Sequence, residues 1–148
     1  QKSAKLLEAV DDRFTVLHDL IPPDGYGNVD HAVIGGTTIV LIDSKQWAKG
    51  TYRHMFGFLW RGRKPLRGRL DLARDEKVRR SFETKFGCRA VYLVAVHGRI
   101  RLGFGLPKRG AVRVVRGDSI DLIVNRTLKR QKAADPRLVT SARRLLAR

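Results

Sequence analysis

Asp30, Asp43 and Lys45 stand in the most apolar stretch of the chain, NVDHAVIGGTTIVLIDSKQW, residues Asn28 to Trp47. Two carboxylates and a lysine among β-branched residues need a reason. If Gly35-Gly36 is a two-residue hairpin turn, the flanking segments pair as antiparallel strands. Ile34 then faces Thr37, Ala32 faces Ile39 and Asp30 faces Leu41. Side chains alternate faces along a strand, so Asp30, Ala32, Ile34, Thr37, Ile39, Leu41, Asp43 and Lys45 share one face. Asp43 becomes the diagonal neighbour of Asp30, with Cβ atoms about 7–8 Å apart or a little less. Close carboxylates repel, and each raises the other's pKa unless a cation lies between them. Lys45 neutralises one. A hard divalent ion, bound through oxygens and keeping some of its waters, accounts for the other. The simpler alternative is a salt bridge between Lys45 and one Asp at the sheet edge.

The elements that must position these residues are legible in outline. Lys2 to Asp12 reads as a helix with Leu6, Leu7 and Val10 as its apolar stripe. RFTVLHDLI reads as a strand alternating Phe14, Val16, His18 and Leu20 against Thr15, Leu17 and Asp19, ended by PPDGYGN. After the acidic hairpin, GTYRHMFGFLWRGRK suggests a second hairpin or a flap over the same face. Leu70 to Phe86 reads as a helix, with Val78, Phe82 and Phe86 on one side and Gly87 as its C-terminal cap. CRAVYLVAV is expected as a strand buried on both faces. RIRLGFGL and AVRVV read as two short strands. SIDLIVNRTLKR and DPRLVTSARRLLAR read as terminal helices, the second capped by Asp135 with Pro136 in its first turn. The order α-β-β-β, arm, α-β-β-β, α-α is that of a mixed sheet flanked by helices, an α/β class.

Composition bounds the partners. The 148 residues suffice for one domain with a real core, and 43% are hydrophobic. Lys and Arg number 31 against 14 Asp and Glu, a net charge of +17. Such an excess points to a polyanion, with nucleic acid ahead of an anionic membrane surface. No apolar run approaches the ~18 residues of a membrane span. A single cysteine, Cys88, excludes an internal disulfide and suits a reducing, cytoplasmic compartment. The chain begins with Gln, so a fragment or a processed chain is expected, and other segments of the parent would lie outside it.

The basic run WRGRKPLRGR holds Arg61, Arg63, Lys64, Arg67 and Arg69 and follows Tyr52, His54, Phe56, Phe58 and Trp60. Basic residues beside aromatics suit phosphate contact combined with base stacking; the plainer reading is a solvated face. Arg126, Lys129, Arg130, Lys132, Arg143, Arg144 and Arg148 extend the basic surface. GFLWRGRK mimics a phosphate loop, but Arg63 and Lys64 replace its Lys and Ser/Thr and no strand-to-helix context supports it. His31 points away from Asp30's face and reads, like His18, as a hydrogen-bonded core histidine. Cys88 reads as inert core.

Asp on one strand, then Asp-x-Lys on the next after a β-turn, resembles the PD-(D/E)xK nuclease pattern. Within it, the stretch from Asn28 to Gly50 resembles the NERD (nuclease-related) domain, whose members read Asn-Ile-Asp-His, an apolar strand, a turn, then Ile-(Asp/Glu)-x-Lys, an aromatic and Gly. FTVLHDLIPPDG resembles that family's segment before it. The specific likeness covers Phe14 to Gly50, with the remainder compatible in order and length. It implies a restriction-endonuclease-like fold over residues 1–148, with Asp30, Asp43 and Lys45 catalytic, Asp30 and Asp43 holding Mg²⁺ or Mn²⁺, and DNA as substrate, RNA being an open alternative. Ser44, through its carbonyl, and Gln46 would support the site. Two features depart from the family. Its first helix opens with Gly-Glu, whose Glu approaches the metal; aligned on SAKLLEAV, that Glu falls just before Gln1. The run from Gly57 to Leu70 is also far more basic. The expected activity is metal-dependent hydrolysis of DNA phosphodiesters. The alternatives are a nucleic-acid-binding module that keeps the fold without cutting, and a structural, ribosome-associated basic domain.

Overall fold

The computed structural model describes residues 2–25, 27–56, 58–66, 70–103 and 108–147. Its core is a six-stranded sheet in the order β1-β2-β3-β7-β10-β9. β1 (Thr15–Leu20), β2 (Val29–Gly35) and β3 (Thr38–Gln46) form an antiparallel meander. β7 (Arg89–His97) lies parallel to β3 over nine residue pairs, and β10 (Val112–Arg116) lies parallel to β7, with the short β9 (Lys108–Arg109) on its edge. Parallel neighbours need crossovers, and α2 (Leu72–Phe86) supplies the one between β3 and β7. The restriction-endonuclease-like mixed α/β fold expected from the sequence is present.

Strand alternation builds two apolar layers. Ile34, Ile39, Leu41, Tyr92, Val94 and Val96 face α2, through Val78 and Phe82, and α4 (Pro136–Arg143), through Leu138 and Ala142. Val33, Val40, Ile42, Leu93 and Ala95 face α1 (Lys2–Leu7) and α3 (Ile120–Thr127), which follows one 3-10 turn at Gly117–Ser119. β3 and β7 are thus covered on both sides, which explains their nearly continuous hydrophobic sequence. Two caps act as read: Asp135 Oδ1 accepts from the Arg137 amide at 2.9 Å, and Gly87 closes α2 with φ +59°. A third, not read from the sequence, is Asp71, whose Oδ1 accepts from the Arg74 amide at 3.0 Å and starts α2 at Leu72.

α2 is tied to β7 by charge as well as packing. Arg79 donates to Glu76 at 2.6 and 2.9 Å, reaches Glu83 at 2.8 Å, and donates to the Ala90 carbonyl at 3.0 Å. Glu83 in turn accepts from the Ala90 amide at 3.0 Å. Charge-assisted bonds at both backbone groups of one strand residue fix the helix over that strand.

Four expectations need correction. The first helix ends at Leu7, five residues early, because Asp11 takes the Arg13 amide on its own side chain and gives its own amide to Asn125. Leu20 packs with Leu17 rather than with Phe14 and Val16; Asp19, at φ +57°, lies between them and turns the strand. The acidic hairpin turns at Gly36-Thr37, with Gly35 paired to Thr38. Finally, the expected hairpin of the arm is present as β4 (Gly50–Met55) and β5 (Phe58–Arg61), but with β6 (Lys64–Leu66) and β8 (Ile100–Leu102) it forms a second sheet of its own, in the order β6-β5-β4-β8. The end of the strand expected through Leu106 lies outside the described residues. No helix among the described residues is long and apolar enough to cross a membrane.

The two sheets join where β3 passes into β4 and β7 into β8. The Trp47 amide donates to the His97 carbonyl at 2.9 Å, and Gly98 follows with φ +127°. A Cβ on Gly98 would lie 2.4 Å from the Trp47 carbonyl oxygen. Gly98→Ala should therefore cost at least about 2 kcal/mol in urea unfolding, from strained φ plus a backbone clash. Gly87→Ala, with open space around its cap, should cost about 1 kcal/mol. Equal costs would show that the junction tolerates a side chain.

Candidate functional site

β2 and β3 put Asp30, Asp43 and Lys45 on one face, at the end of the core sheet from which the second sheet grows. The observed register pairs Ala32 with Leu41 and His31 with Ile42. One step further sets Asp30 opposite Asp43, closer than the diagonal placement expected from a Gly35-Gly36 turn. The two carboxyl groups share a hydrogen bond. Asp30 Oδ2 also accepts from the Ser44 amide at 2.8 Å. Asp30 is thereby anchored to the backbone of the strand that carries Asp43. Lys45 Nζ lies 3.2 Å from Asp43 Oδ2, with the lysine side chain 34% exposed and the carboxylate 19%.

Burial pushes the Asp43 carboxyl above its ordinary range; Lys45 opposes this, and Asp30 adds to it. Among the described residues the pair thus has one cation, Lys45, within salt-bridge distance for two acids. Among the described residues no set of three His, Cys, Asp or Glu side chains is gathered for a metal ion.

Two residues that the sequence reading passed over belong to this face. Asp75, in the first turn of α2, is 4% exposed, and the Tyr92 hydroxyl donates to it. Burial raises Asp75 to about 6, and the Asp43 charge adds to the effect. Burial and Asp75 likewise hold the Tyr92 phenol high. A signal was there to find: Asp75, Val78 and Phe82 stand at i, i+3 and i+7, so an acid occupies the buried stripe of its helix.

Behind the sheet, Ser44 Oγ donates to Ser3 Oγ at 2.7 Å, and Ser3 bonds His97 Nε2. His97 borders a cavity of about 510 Å³ whose lining includes Lys2, Lys5, Leu6, Ile100 and Arg116. This cavity opens on the opposite face from Asp43. His31 is also on that side, 2.7 Å from His18 between Nδ1 atoms, and burial and His18 push it down to about 4. His31 is thus a hydrogen-bonded core histidine, as expected, whereas His18, read the same way from the sequence, is its exposed partner on the surface. Cys88 is half-buried, and burial raises its thiol to about 11, consistent with an unreactive side chain.

Gln46 is exposed at the end of β3 and pairs through its backbone with His97. Arg61, Arg63 and Lys64 are exposed on the second sheet; Arg61 Nε donates to the Lys49 carbonyl at 3.0 Å. Arg67 and Arg69 lie outside the described residues.

Asp75 has a testable pH signature. Its folded value of about 6 exceeds the ordinary 3.8, so its ionised form opposes folding. That penalty is complete above about pH 6 and vanishes as pH falls towards 4. Asp75→Asn keeps an acceptor for Tyr92 and removes the charge. It should stabilise the fold by about 1–2 kcal/mol at pH 7.5, with the difference from wild type gone by pH 4. His31 titrates in the same window in both proteins and cancels in the difference. Thermal melts across pH check this; a constant difference would mean that Asp75 is not held protonated.

Comparison with known proteins adds one result. No curated protein and no solved structure matches the chain. A family model described as "Nuclease-related domain" (NERD) matches residues 1–84, from α1 through the Asp30-Asp43-Lys45 hairpin and the second sheet's first three strands into α2. The match takes in more than half of the 148 residues and includes both strands that carry the paired carboxylates, so the chain belongs to the nuclease-related domain family.

Proposed function

We propose that the chain is a metal-dependent DNA nuclease of the PD-(D/E)xK type, acting through Asp30, Asp43 and Lys45. The observation that carries this reading is the apposition of Asp30 and Asp43 on neighbouring strands with Lys45 beside them. Two hard-oxygen donors with space for waters fit Mg²⁺ or Mn²⁺, ions commonly held by one or two carboxylates plus water and phosphate oxygens. Asp30 and Asp43 would hold the ion. When bound, it supplies positive charge to a phosphoryl oxygen and acidity to a water.

The chain's own residues do the rest. The Ser44 amide fixes one Asp30 oxygen and leaves the other oxygen to face Asp43. Lys45, 3.2 Å from Asp43 in this state, carries an ammonium that orients the scissile phosphate and stabilises the charge that builds during attack. Ser44 holds the strand from behind through Ser3, and Gln46, exposed at the end of β3, would support the site from there. Arg61, Arg63, Lys64, Arg67 and Arg69 bind backbone phosphates without reading bases. One domain over residues 1–148 fits this reading, because β7 and β10, beyond the family match, complete the sheet that holds β3.

A second reading is a nucleic-acid-binding module that keeps this fold without cutting. The Lys45–Asp43 ion pair favours it, since it satisfies one carboxylate without a metal.

Substitutions separate the two. Asp43→Asn should abolish plasmid cleavage in Mg²⁺ or Mn²⁺ and leave the melting temperature without metal unchanged or higher, because a carboxylate repulsion is relieved. Lys45→Ala should keep the Mn²⁺-induced rise in melting temperature while cutting the rate by about 10²-fold or more. If the acids are purely structural, breaking the pair instead costs about 3–5 kcal/mol and Mn²⁺ has no effect. Cleavage is assayed both on this chain and on one extended upstream of Gln1. Should neither cut nor gain stability with Mn²⁺, the nuclease reading is wrong.

The basic run has its own test. Binding of a labelled duplex should weaken steeply with salt, as counterion release requires. Replacing Arg61, Arg63 and Lys64 by Ala should lower the log–log salt slope by about 2–3 and spare the Mn²⁺ response. An unchanged slope would reduce these residues to a solvated loop.

A further inference from the structure

The four-stranded sheet has one face that the nuclease reading leaves unused. Tyr52 and Leu59, 2% and 4% exposed, pack its inner side against the core. Alternation sends Thr51, Arg53, Met55, Phe58, Trp60, Pro65 and Arg101 to the other side. Register places Arg53 and Pro65 on either side of Trp60, Met55 beside Phe58, and Arg101 beside Thr51. Phe58 is 44% exposed, and Phe56, in the turn at the tip with φ +53°, is 87% exposed. The Trp60 indole donates to the Met55 carbonyl at 3.0 Å, so the ring is fixed by its own hairpin. This surface belongs to an ordinary core-facing sheet only on its inner side. Its outer side carries the exposed Phe58 ring and the half-buried Trp60 ring, flanked by exposed arginines.

We propose that the outer face of the β4-β5-β6-β8 sheet binds unpaired bases, so that the substrate is single-stranded nucleic acid or a duplex with a single-stranded stretch. The proposal rests on the nucleic-acid reading above and narrows its substrate class. Charge identifies the occupant: exposed Arg53 and Arg101 share the face with the rings, in a chain of net charge +17. Alternating rings and cations match bases and phosphates in turn, and stacking accepts any base because each has a π-face. In a duplex those faces are already covered by neighbouring base pairs, so Phe58 and Trp60 gain nothing there. Trp60 and Phe58 lie two residues apart on β5, about 6.6–6.8 Å along the strand, which spaces them for successive bases of an extended strand. Position agrees with use. β4 and β8 continue from the ends of β3 and β7, the end at which Asp43 and Lys45 stand. The proposed face thus belongs to a sheet joined to the core at the end of β3 that carries Asp43 and Lys45.

The test is fluorescence anisotropy in EDTA at one salt concentration with three labelled probes of equal length: oligo-dT, the same backbone with abasic residues, and a duplex. Wild type should bind oligo-dT at least about ten-fold more tightly than the abasic strand. Trp60→Ala and Phe58→Ala should each remove roughly five- to ten-fold of that preference without changing affinity for the abasic strand. Trp47 is buried, so quenching of the intrinsic fluorescence by oligo-dT reads Trp60 in the unmodified protein. If Trp60→Ala does not fold, Phe58→Ser, Phe56→Ser and that quenching still decide. Equal, salt-dependent binding of oligo-dT and abasic strand, or no quenching, overturns the proposal and leaves the nucleic-acid reading standing. No binding to any of the three removes both.

Discussion

Two carboxylates lie side by side because backbone geometry puts them there. Asp30 and Asp43 are adjacent on antiparallel strands through a register set six residues away, at the Gly36-Thr37 turn. A slip of one residue in either strand would move its acid to the opposite face, among Val33, Val40 and Ile42. The register is held by apolar layers above and below, and by nine paired positions between β3 and β7. The repulsion is thus imposed on a rigid part of the molecule. One edge of it is relieved by Lys45, another by the Ser44 amide. Burial and the nearness of Asp30 still hold the Asp43 carboxyl above its ordinary range.

The rest of the fold meets the same constraint from other directions. α2 lies over the apolar layer and brings Asp75 and its partner Tyr92 into the field of Asp43. The Glu76-Arg79-Glu83 network keeps the helix on β7, so that a third acid is buried close to the pair without being swept into water. On the far side, Ser3 and His97 hold Ser44 in place. Gly117 permits this, since a Cβ there would meet the His97 ring at 2.3 Å.

The second sheet changes what the charge of the chain means. A net +17 spread evenly would serve solubility as well as binding. Here β4 and β8 continue from the ends of β3 and β7, and carry Arg53 and Arg101 with them.

By itself the sequence determined the family likeness, the elements and their faces. Alternation with period two put Asp30, Asp43 and Lys45 together, and that survives any even shift of register. The caps at Asp135 and Gly87 are local chemistry and were legible for that reason. So was the doubly buried strand Arg89–His97, whose run of apolar residues has no polar face. Tertiary structure alone decided the register at Gly36-Thr37, because Gly35-Gly36 and Gly36-Thr37 are both acceptable two-residue turns and only packing against α2 and β7 chooses between them. It also decided that the arm forms a separate sheet, since β8 pairs with β4 across fifty residues of chain and no local pattern encodes such a partner. Asp75 was within reach of helical periodicity, but the charge that it feels comes from another strand. Its elevated pKa, like the alignment of aromatic rings on the outer face, exists only once distant segments are brought to within a few ångströms.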